Sequence, residues 1–302
     1  MSYHDIVVPI DGSRFAEAAL TYAVELARSA KAKLHLVLAH EPAAVLVGAG
    51  EGPPTIDLDE GIRQRERAYL AETAGDLLRA GSFVEFRALE GEAGPAIVDE
   101  VRRLGADLVV MATHGRGAVG RLWLGSVADY CVRNLSVPVL LIHPQDETAE
   151  PEKPAFHSIL VGLDLSAESE AVLEPVIALA RLTGGYVTLL HVLEPVLGVM
   201  DPSVPFPVPI DPGLLEEQRT AAQQRLDGAA DRLRASGISA CARVKDAPSA
   251  ASGLLETLAL ERYDLLAVTT HGQSGVRWLL LGSVADKVIR GARKPVLVMH
   301  PG

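Results

Sequence analysis

The chain carries one set of short motifs twice, and this repeat decides the fold. The first set is Thr113-His114-Gly115, Gly125-Ser126-Val127-Ala128-Asp129 and Pro138-Val139, and the second is Thr270-His271-Gly272, Gly282-Ser283-Val284-Ala285-Asp286 and Pro295-Val296. Each member of the second set lies 157 positions after its counterpart (272 − 115 for the loop glycines). A repeat longer than about 50 residues indicates a duplicated domain rather than a solenoid. The 302 residues are therefore predicted to form two similar domains, at 1–145 and 155–302, joined by a linker at 146–154.

Composition and charge narrow the class of protein and its partners. Hydrophobic residues make up 48% of the chain and charged residues 22%, as in ordinary globular proteins. The net charge of −11 argues against a nucleic acid or an anionic membrane as partner, because both require a basic surface. The first residues lack a basic segment and a long apolar segment, and Cys131 and Cys241 lie in different halves. We therefore expect a cytoplasmic protein with two free thiols, no membrane span and no metal centre.

Short apolar runs alternate with helical patterns in both halves, which predicts an α/β fold. Predicted strands lie at 6–10, 34–39, 83–89, 107–112 and 137–142, and again at 159–163, 187–192, 238–244, 264–269 and 296–300. Ser13 is predicted to cap the first helix, and the matching helix after Asp164 is predicted to run to Arg181. Each half should form an open, mostly parallel five-stranded sheet with helices on both faces, a Rossmann-like arrangement.

The repeated glycines fall where a parallel sheet binds ligands. In such a sheet the ligand lies beyond the carboxyl ends of the strands, where the strand order reverses. Gly115 permits a sharp turn, and Gly125-Ser126 begins a helix whose free N–H groups attract an anion. A phosphate chain could be held there by backbone amides, with Arg116 and Arg121 as helpers in the first half. The alternative is that these glycines only form turns.

Aspartate and histidine residues at the same edge have two interpretations each. Asp11 and Asp164 could contact a ribose or base, or could simply close an Asx turn after the first strand. His114 and His271 could act in catalysis. No repeated second acid or nucleophile can be placed beside these histidines from the sequence, so a structural or ligand-lining role is favoured and no catalytic residue is assigned.

Two common nucleotide motifs are rejected. Residues 115–120 match the dinucleotide fingerprint GxGxxG, but they follow the fourth strand rather than the first, and the second half breaks the pattern at 272–275. No GxxxxGK[ST] motif is present, so a P-loop ATPase of the usual form is excluded.

With these residues in view, the chain resembles the universal stress protein family, in its tandem form with two such domains in one polypeptide. The resemblance rests on the opening strand ending in Asp, on Ala106 to Gly117, and on Leu-Gly-Ser-Val-Ala-Asp through Pro-Val-Leu in both halves. It implies a fold like that of the adenine nucleotide alpha hydrolases. The ATP-binding branch of the family carries Gly-x2-Gly-x9-Gly-[Ser/Thr], whose first glycine is Ala112 in one half and Thr269 in the other. Since threonine crowds the backbone more than alanine, the resemblance favours binding in the first half over the second.

The resemblance also implies the residues of the two nucleotide sites, with ATP and Mg²⁺ as ligands. The sites comprise, in the first half, Pro9, Ile10, Asp11, Ala39, Met111, Ala112, Thr113, His114, Gly115, Arg116, Gly125, Ser126 and Val127, and, in the second, Gly162, Leu163, Asp164, Val192, Val268, Thr269, Thr270, His271, Gly272, Gly282, Ser283 and Val284. The family pairs last strands across a two-fold axis, so the two halves are expected to form an internal pseudo-dimer through 137–142 and 296–300. A further homodimer remains compatible with this arrangement.

Three functions follow from these features. The first is an ATP-binding stress-response regulator that senses or buffers adenine nucleotide without fast turnover, since the phosphate loop is doubled and no catalytic group is. The second is a slow ATPase or phosphotransferase that uses His114 or His271. The third is a scaffold, as in branches of the family that bind no nucleotide, in which the loop is only structural.

Overall fold

The fold is described from a computed structural model of the whole chain. The described residues are 2–42, 56–113, 124–143, 154–194, 212–270 and 281–301. They divide into two compact units, the first containing Met1–Pro154 and Pro295–His300 and the second Ala155–Lys294. The last strand of the chain therefore belongs, by its contacts, to the first unit.

Within the described residues, the first unit contains five strands in chain order and four helices that alternate with them. The strands are β1 (Asp5–Pro9), β2 (Lys33–His40), β3 (Val84–Glu90), β4 (Leu108–Ala112) and β5 (Val139–Ile142), and the helices are α1 (Arg14–Ala30), α2 (Ile56–Arg79), α3 (Ala93–Leu104) and α4 (Ser126–Asn134). The strand order is β3-β2-β1-β4-β5, all parallel. The predicted α/β class and parallel sheet are confirmed.

The part of the second unit that the structure describes repeats this order with four strands. It contains β6 (Ser158–Gly162), β7 (Tyr186–Leu193), β8 (Ser239–Asp246) and β9 (Leu265–Thr269), with helices α5 (Leu173–Thr183), α6 (Pro212–Ala235), α7 (Ala250–Leu260) and α8 (Ser283–Gly291). These strands pair in parallel in the order β9-β6-β7-β8. The last strand, β10 (Val296–Met299), pairs antiparallel with β5, with Leu297 opposite Leu140. The predicted pairing of the last strands of the two halves is therefore confirmed.

One predicted helix is wrong in its first turn. The sequence predicts a single helix that follows Asp164 and runs to Arg181, whereas the structure has a 3-10 turn at Ser169–Val172 before α5. Pro175 has no N–H to donate to the carbonyl of Ala171, which disfavours an α-helix that begins before Leu173 and leaves Pro175 in the first turn of α5. In the first unit Ser13 caps α1 as predicted, its hydroxyl accepting the N–H of Ala16 at 3.2 Å.

A repeated aspartate fixes the amino end of each central strand. The Oδ2 of Asp107 accepts the N–H groups of His4 and Asp5 at 2.7 and 3.0 Å. The Oδ2 of Asp264 accepts those of His157 and Ser158 at 2.9 and 3.0 Å. Each aspartate thus ties the start of its fourth strand to the start of its first, at the end of the sheet opposite the predicted ligand site.

The core of each unit lies on both faces of its sheet, because helices cover both. Leu34 and Leu36 of β2 and Leu108 of β4 are buried, as are Ile159, Leu160 and Leu189 in the second unit. Strands with such unbroken apolar runs are typical of parallel sheets covered on both sides. No helix within the described ranges is long and apolar enough to cross a membrane.

Candidate functional site

A cavity of about 580 Å³ opens in the second unit at the carboxyl ends of its strands. The sheet order there is β7-β6-β9, so the chain leaves β6 toward one neighbour and reaches the other only later. This is the point of strand-order reversal at which open α/β sheets bind ligands. Ten residues predicted for the second site line the cavity: Gly162, Leu163, Asp164, Val192, Val268, Thr269, Thr270, Gly282, Ser283 and Val284.

The cavity also has lining residues that the sequence did not indicate. They are Leu165, Ser169, Leu190, His191, Glu194, Ala250, Leu254 and Ala285. Glu194 and Ala250 come from the end of β7 and the start of α7, which are 56 residues apart in the chain. A contact over that distance has no local sequence signal, although the Glu-Pro pair that follows β2 and β7 in both halves could have indicated it.

The N-termini of α7 and α8 both lie at the cavity. They differ in whether a side chain already accepts hydrogen bonds from their free N–H groups. At α7 the carboxylate of Glu194 accepts the N–H of Ala250 at 2.7 Å, so this end already has its own anion. At α8 the N-cap residue is Gly282, which provides no side-chain cap. Because the free N–H groups and the helix dipole favour an anion, the start of α8 is the better place for a ligand phosphate.

Asp164 closes a turn at the mouth of the cavity. Its Oδ1 accepts the N–H of Ser166 at 2.9 Å and the hydroxyl of Ser166 at 2.5 Å. Asp11 makes the matching turn in the first unit, its Oδ1 accepting the N–H of Ser13 at 2.9 Å. The Asx-turn interpretation is thus confirmed for both aspartates, while their contact with a ribose or base stays a prediction.

His191 has no histidine at the matching position of the first half, and one of its ring nitrogens is held by a hydrogen bond. Its Nδ1 lies 2.8 Å from the carbonyl oxygen of Leu163, which can only accept, so Nδ1 carries the proton. The position 153 residues earlier is Leu38, so the first half has no imidazole there. Nearby, Arg225 of α6 donates to the carbonyl oxygen of Leu165 at 2.5 Å and brings a cation to the cavity rim.

In the first unit the predicted residues converge on the matching edge. Pro9 and Ala112 end β1 and β4, which are paired neighbours, and Ala39 lies near the end of β2 on the other side of β1. Ile10 donates its N–H to the carbonyl of Val37 at 2.9 Å. Met111 lies in β4 and Thr113 directly follows it, while Gly125 is the N-cap of α4, which starts at Ser126 and Val127.

The ends of the repeated glycine loop are held together in both units. The N–H of Gly125 donates to the carbonyl of Thr113 at 2.8 Å, and the N–H of Gly282 donates to that of Thr270 at 2.8 Å. The loop therefore starts and ends at the strand edge beside the helix N-terminus. Five predicted site residues lie within it and outside the described residues: His114, Gly115, Arg116, His271 and Gly272.

The family model of the universal stress protein family matches the chain twice, at residues 2–143 and 155–300. The chain belongs to the universal stress protein family. The two matches cover both halves, so it has the tandem form of the family.

Relatives of the same family match along nearly the whole chain. A universal stress protein of Mycolicibacterium smegmatis is 28% identical over 311 residues, covering 99% of this chain and 97% of that protein. One from Mycobacterium tuberculosis is 28% identical over 313 residues, covering 97% and 94%. Among solved structures, a universal stress protein from Archaeoglobus fulgidus matches with a TM-score of 0.75 at 19% identity, covering 100% of both chains. The last likeness is one of fold.

Proposed function

We propose that this universal stress protein binds ATP at the carboxyl ends of its strands and acts as a nucleotide-dependent stress-response regulator rather than as a fast enzyme. The observation that carries the proposal is the cavity of about 580 Å³ at the reversal point of the second sheet. Its volume falls within the roughly 300 to 1,000 Å³ of small-molecule sites. It joins an apolar floor, formed by Leu254 and Val268 among others, to the uncapped start of α8.

The two ends of the cavity suit the two ends of a nucleotide. Leu190 and Val192 of β7 offer apolar surface for a base, whereas Gly282 and Ser283 offer backbone N–H groups for phosphates. Glu194, already bonded at the start of α7, keeps a phosphate away from that helix by charge repulsion. These features favour one orientation of the ligand, with phosphates at α8.

Mg²⁺ would accompany the nucleotide rather than occupy a site of its own. Over the residues that the structure describes, no group of three or more His, Cys, Asp or Glu side chains is arranged to hold a metal ion. Mg²⁺ commonly binds through substrate phosphates and keeps several waters, so the ion would reach the site together with the nucleotide.

The test uses a matched pair of substitutions, Ser126→Glu and Ser283→Glu, on the intact chain. Both serines are exposed at the first turn of their helices. A glutamate there suits the helix dipole and keeps the fold, but repels phosphate. Isothermal titration with Mg-ATP should give two sites for the wild type, one for each variant and none for the double variant. Ser126→Ala and Ser283→Ala serve as controls and should retain binding.

Turnover is measured in the same samples. A regulator returns the bound ATP largely intact, whereas steady phosphate release that is lost in a His114→Ala/His271→Ala variant would support the slow ATPase instead. A wild type that binds no ATP, or binding that both glutamate variants leave unchanged, would overturn the proposed sites.

A further inference from the structure

The edge of the first sheet exposes three large apolar side chains close together in the chain. Leu78 at the end of α2 is 53% exposed, Phe83 before β3 is 70% exposed, and Phe86 within β3 is 49% exposed. Strand β3 is the terminal strand in its order, so its outer side has no strand partner among the described residues. An open edge with exposed apolar residues is a template for pairing with another chain.

The hydrogen bonds of β3 identify which backbone groups face outward. The N–H of Leu34 donates to the carbonyl of Phe83 at 2.8 Å, and Leu34 lies opposite Val84 in the parallel register. In such a ladder alternate residues point their N–H and C=O groups to the same side. Phe83, Glu85 and Arg87 therefore bond toward β2. The N–H and C=O groups of Val84, Phe86 and Ala88 face the open side.

The matching edge of the second unit is closed by side chains. Arg234 of α6 donates from Nε to the carbonyl of Ala240 at 3.1 Å, and Gln223 donates from Nε2 to that of Ala242 at 3.3 Å. Ala240 and Ala242 occupy in β8 the positions of Val84 and Phe86 in β3, 156 residues earlier, as the two registers require. No described side chain donates to the carbonyls of Val84 or Phe86.

The two edges also differ in polarity, since large apolar residues of the first unit are replaced by polar or small residues in the second. Where the first unit has Leu78, Phe83 and Phe86, the second has Arg234, Ser239 and Ala242. The edge strand β8 of the second unit is thus blocked and polar, whereas the edge strand β3 of the first unit is open and apolar. Side chains that block an edge strand prevent it from pairing with another chain.

We propose that β3 pairs antiparallel with β3 of a second copy of this chain, about a two-fold axis at Phe86. In this register Phe86 exchanges both backbone hydrogen bonds with the partner's Phe86, and Val84 lies opposite the partner's Ala88. Glu85 then faces the partner's Arg87, and Arg87 faces the partner's Glu85. Opposite charges directly across an antiparallel pair stabilise it.

Charge selects this register over its neighbours. An axis at Glu85 or at Arg87 would place like charges directly opposite each other, which destabilises a strand pair. The two side chains are 60% and 53% exposed, so a partner can reach them. An ion pair within the same chain also positions each side chain. The Nζ of Lys33 lies 2.8 Å from the Oε1 of Glu85, and the Nη1 of Arg87 lies 3.0 Å from the Oε2 of Glu100.

The experiment is sedimentation velocity of the intact chain over a roughly hundredfold range of concentration, which spans about 2.7 kcal/mol in binding free energy. The wild type should shift from monomer to dimer. The variant Leu78→Arg/Phe83→Ser/Phe86→Ala carries the residues of the second unit's edge and should stay monomeric. Leu260→Ala removes an apolar side chain of the second unit that is 77% exposed, and should dimerise as the wild type does.

Charge reversal tests the register itself. Glu85→Lys should weaken the dimer by about tenfold or more, and adding Arg87→Glu should restore it, since opposite charges then face each other again. Circular dichroism checks that each variant is folded. A wild type that stays monomeric throughout, a dimer unchanged in the triple variant, or a double reversal weaker than the single one would overturn the proposal.

Discussion

The Nδ1 of His40 lies 2.7 Å from the Oε2 of Glu66, which joins the end of β2 to the middle of α2. The Nε2 of the same ring lies 3.2 Å from the Oδ1 of Asp59. His40 is only 2% exposed. Since a carboxylate only accepts, the ring donates both hydrogen bonds when both of its nitrogens carry a proton. A buried ring held by two carboxylates thus clamps α2 onto the strand that ends at the predicted first site.

The second unit fills the same space without charge, which leads to the first prediction. At the positions matching His40 and Glu66 it has Leu193 and Ala222. His40→Leu alone should lower the free energy of unfolding by about 2–4 kcal/mol, because it leaves Glu66, whose side chain is only 15% exposed, without this partner. Adding Glu66→Ala should recover much of that loss. Urea unfolding of the four members of this double-mutant cycle measures the coupling; additive effects would contradict the prediction.

The strands of the sheet could be predicted well because the sequence signal of each strand, a short apolar run, is local. Short apolar runs were enough to place each strand to within two residues at every end. The β5–β10 pair was anticipated from the family resemblance rather than from these runs. The broken first turn of α5 had a local signal too, in Pro175, which the helical spacing of the neighbouring residues obscured.

Contacts between distant parts of the chain were not predictable in the same way. His40 and Glu66 are 26 residues apart, and Glu194 and Ala250 are 56 apart. Their residue types are common on exposed helices and loops, so composition and periodicity do not distinguish a buried clamp or a helix cap from a solvated charge. The candidate site could be predicted where it used repeated glycines and strand ends, whereas its acidic wall at Glu194 had only the repeated Glu-Pro pair as a signal.

Glu100 gives a prediction about pH. Its carboxylate is 5% exposed and accepts from Arg103 at 2.7 and 2.8 Å and from Arg87 at 3.0 Å. The hydrogen bonds from Arg103 lower the pKa of Glu100 below its ordinary value, with a smaller contribution from the charge of Arg87, while burial opposes them. A carboxyl whose pKa is lower in the folded state stabilises the protein above its unfolded pKa of about 4.3, and this contribution is lost as pH falls through the folded value.

Glu100→Gln should therefore cost about 1–3 kcal/mol at pH 7, and the cost should shrink as the pH falls below about 4. Denaturant unfolding at several pH values measures the difference between the two proteins. Glu72→Gln, on the exposed surface of α2, is the control and should change stability little at any pH. A cost for Glu100→Gln that stays constant down to about pH 3 would contradict the assignment.

Cys131 gives a prediction about reactivity. The thiol is fully buried in α4, and burial raises its pKa to about 12. Because the thiolate is the reactive form, Ellman's reagent at about pH 8 should not label it in the folded protein. In a Cys241→Ser variant Cys131 is the single thiol of the chain. We expect no colour until denaturant is added, and then one thiol per chain; immediate labelling would contradict the prediction.

Packing around Cys131 can be tested with the residue of the other half. The matching position, 157 residues later, is Val288, also fully buried. Cys131→Val keeps the side chain apolar and adds one carbon, as at Val288, and should change the free energy of unfolding by less than about 1.5 kcal/mol. Cys131→Ser buries a hydroxyl and should cost more.

Gly94 of α3 and Tyr130 of α4 form a close contact that the second unit resolves differently. A Cβ on Gly94 would lie 2.8 Å from the Cγ of Tyr130 and 2.9 Å from its Cδ1. The matching pair, 157 residues later, is Ala251 and Lys287, so there the extra methyl group faces a side chain without a ring. Gly94→Ala alone should destabilise the protein by about 1–3 kcal/mol through overpacking. Adding Tyr130→Lys should remove this cost and leave the gain of about 1 kcal/mol that alanine brings over glycine in a helix.

Denaturant unfolding of the two single variants and the double variant measures the coupling. Gly61→Ala in α2, where a Cβ would meet nothing within 4 Å, is the control and should stabilise the chain on its own. If Gly94→Ala stabilised the protein as Gly61→Ala does, the close approach of Tyr130 would not limit residue 94.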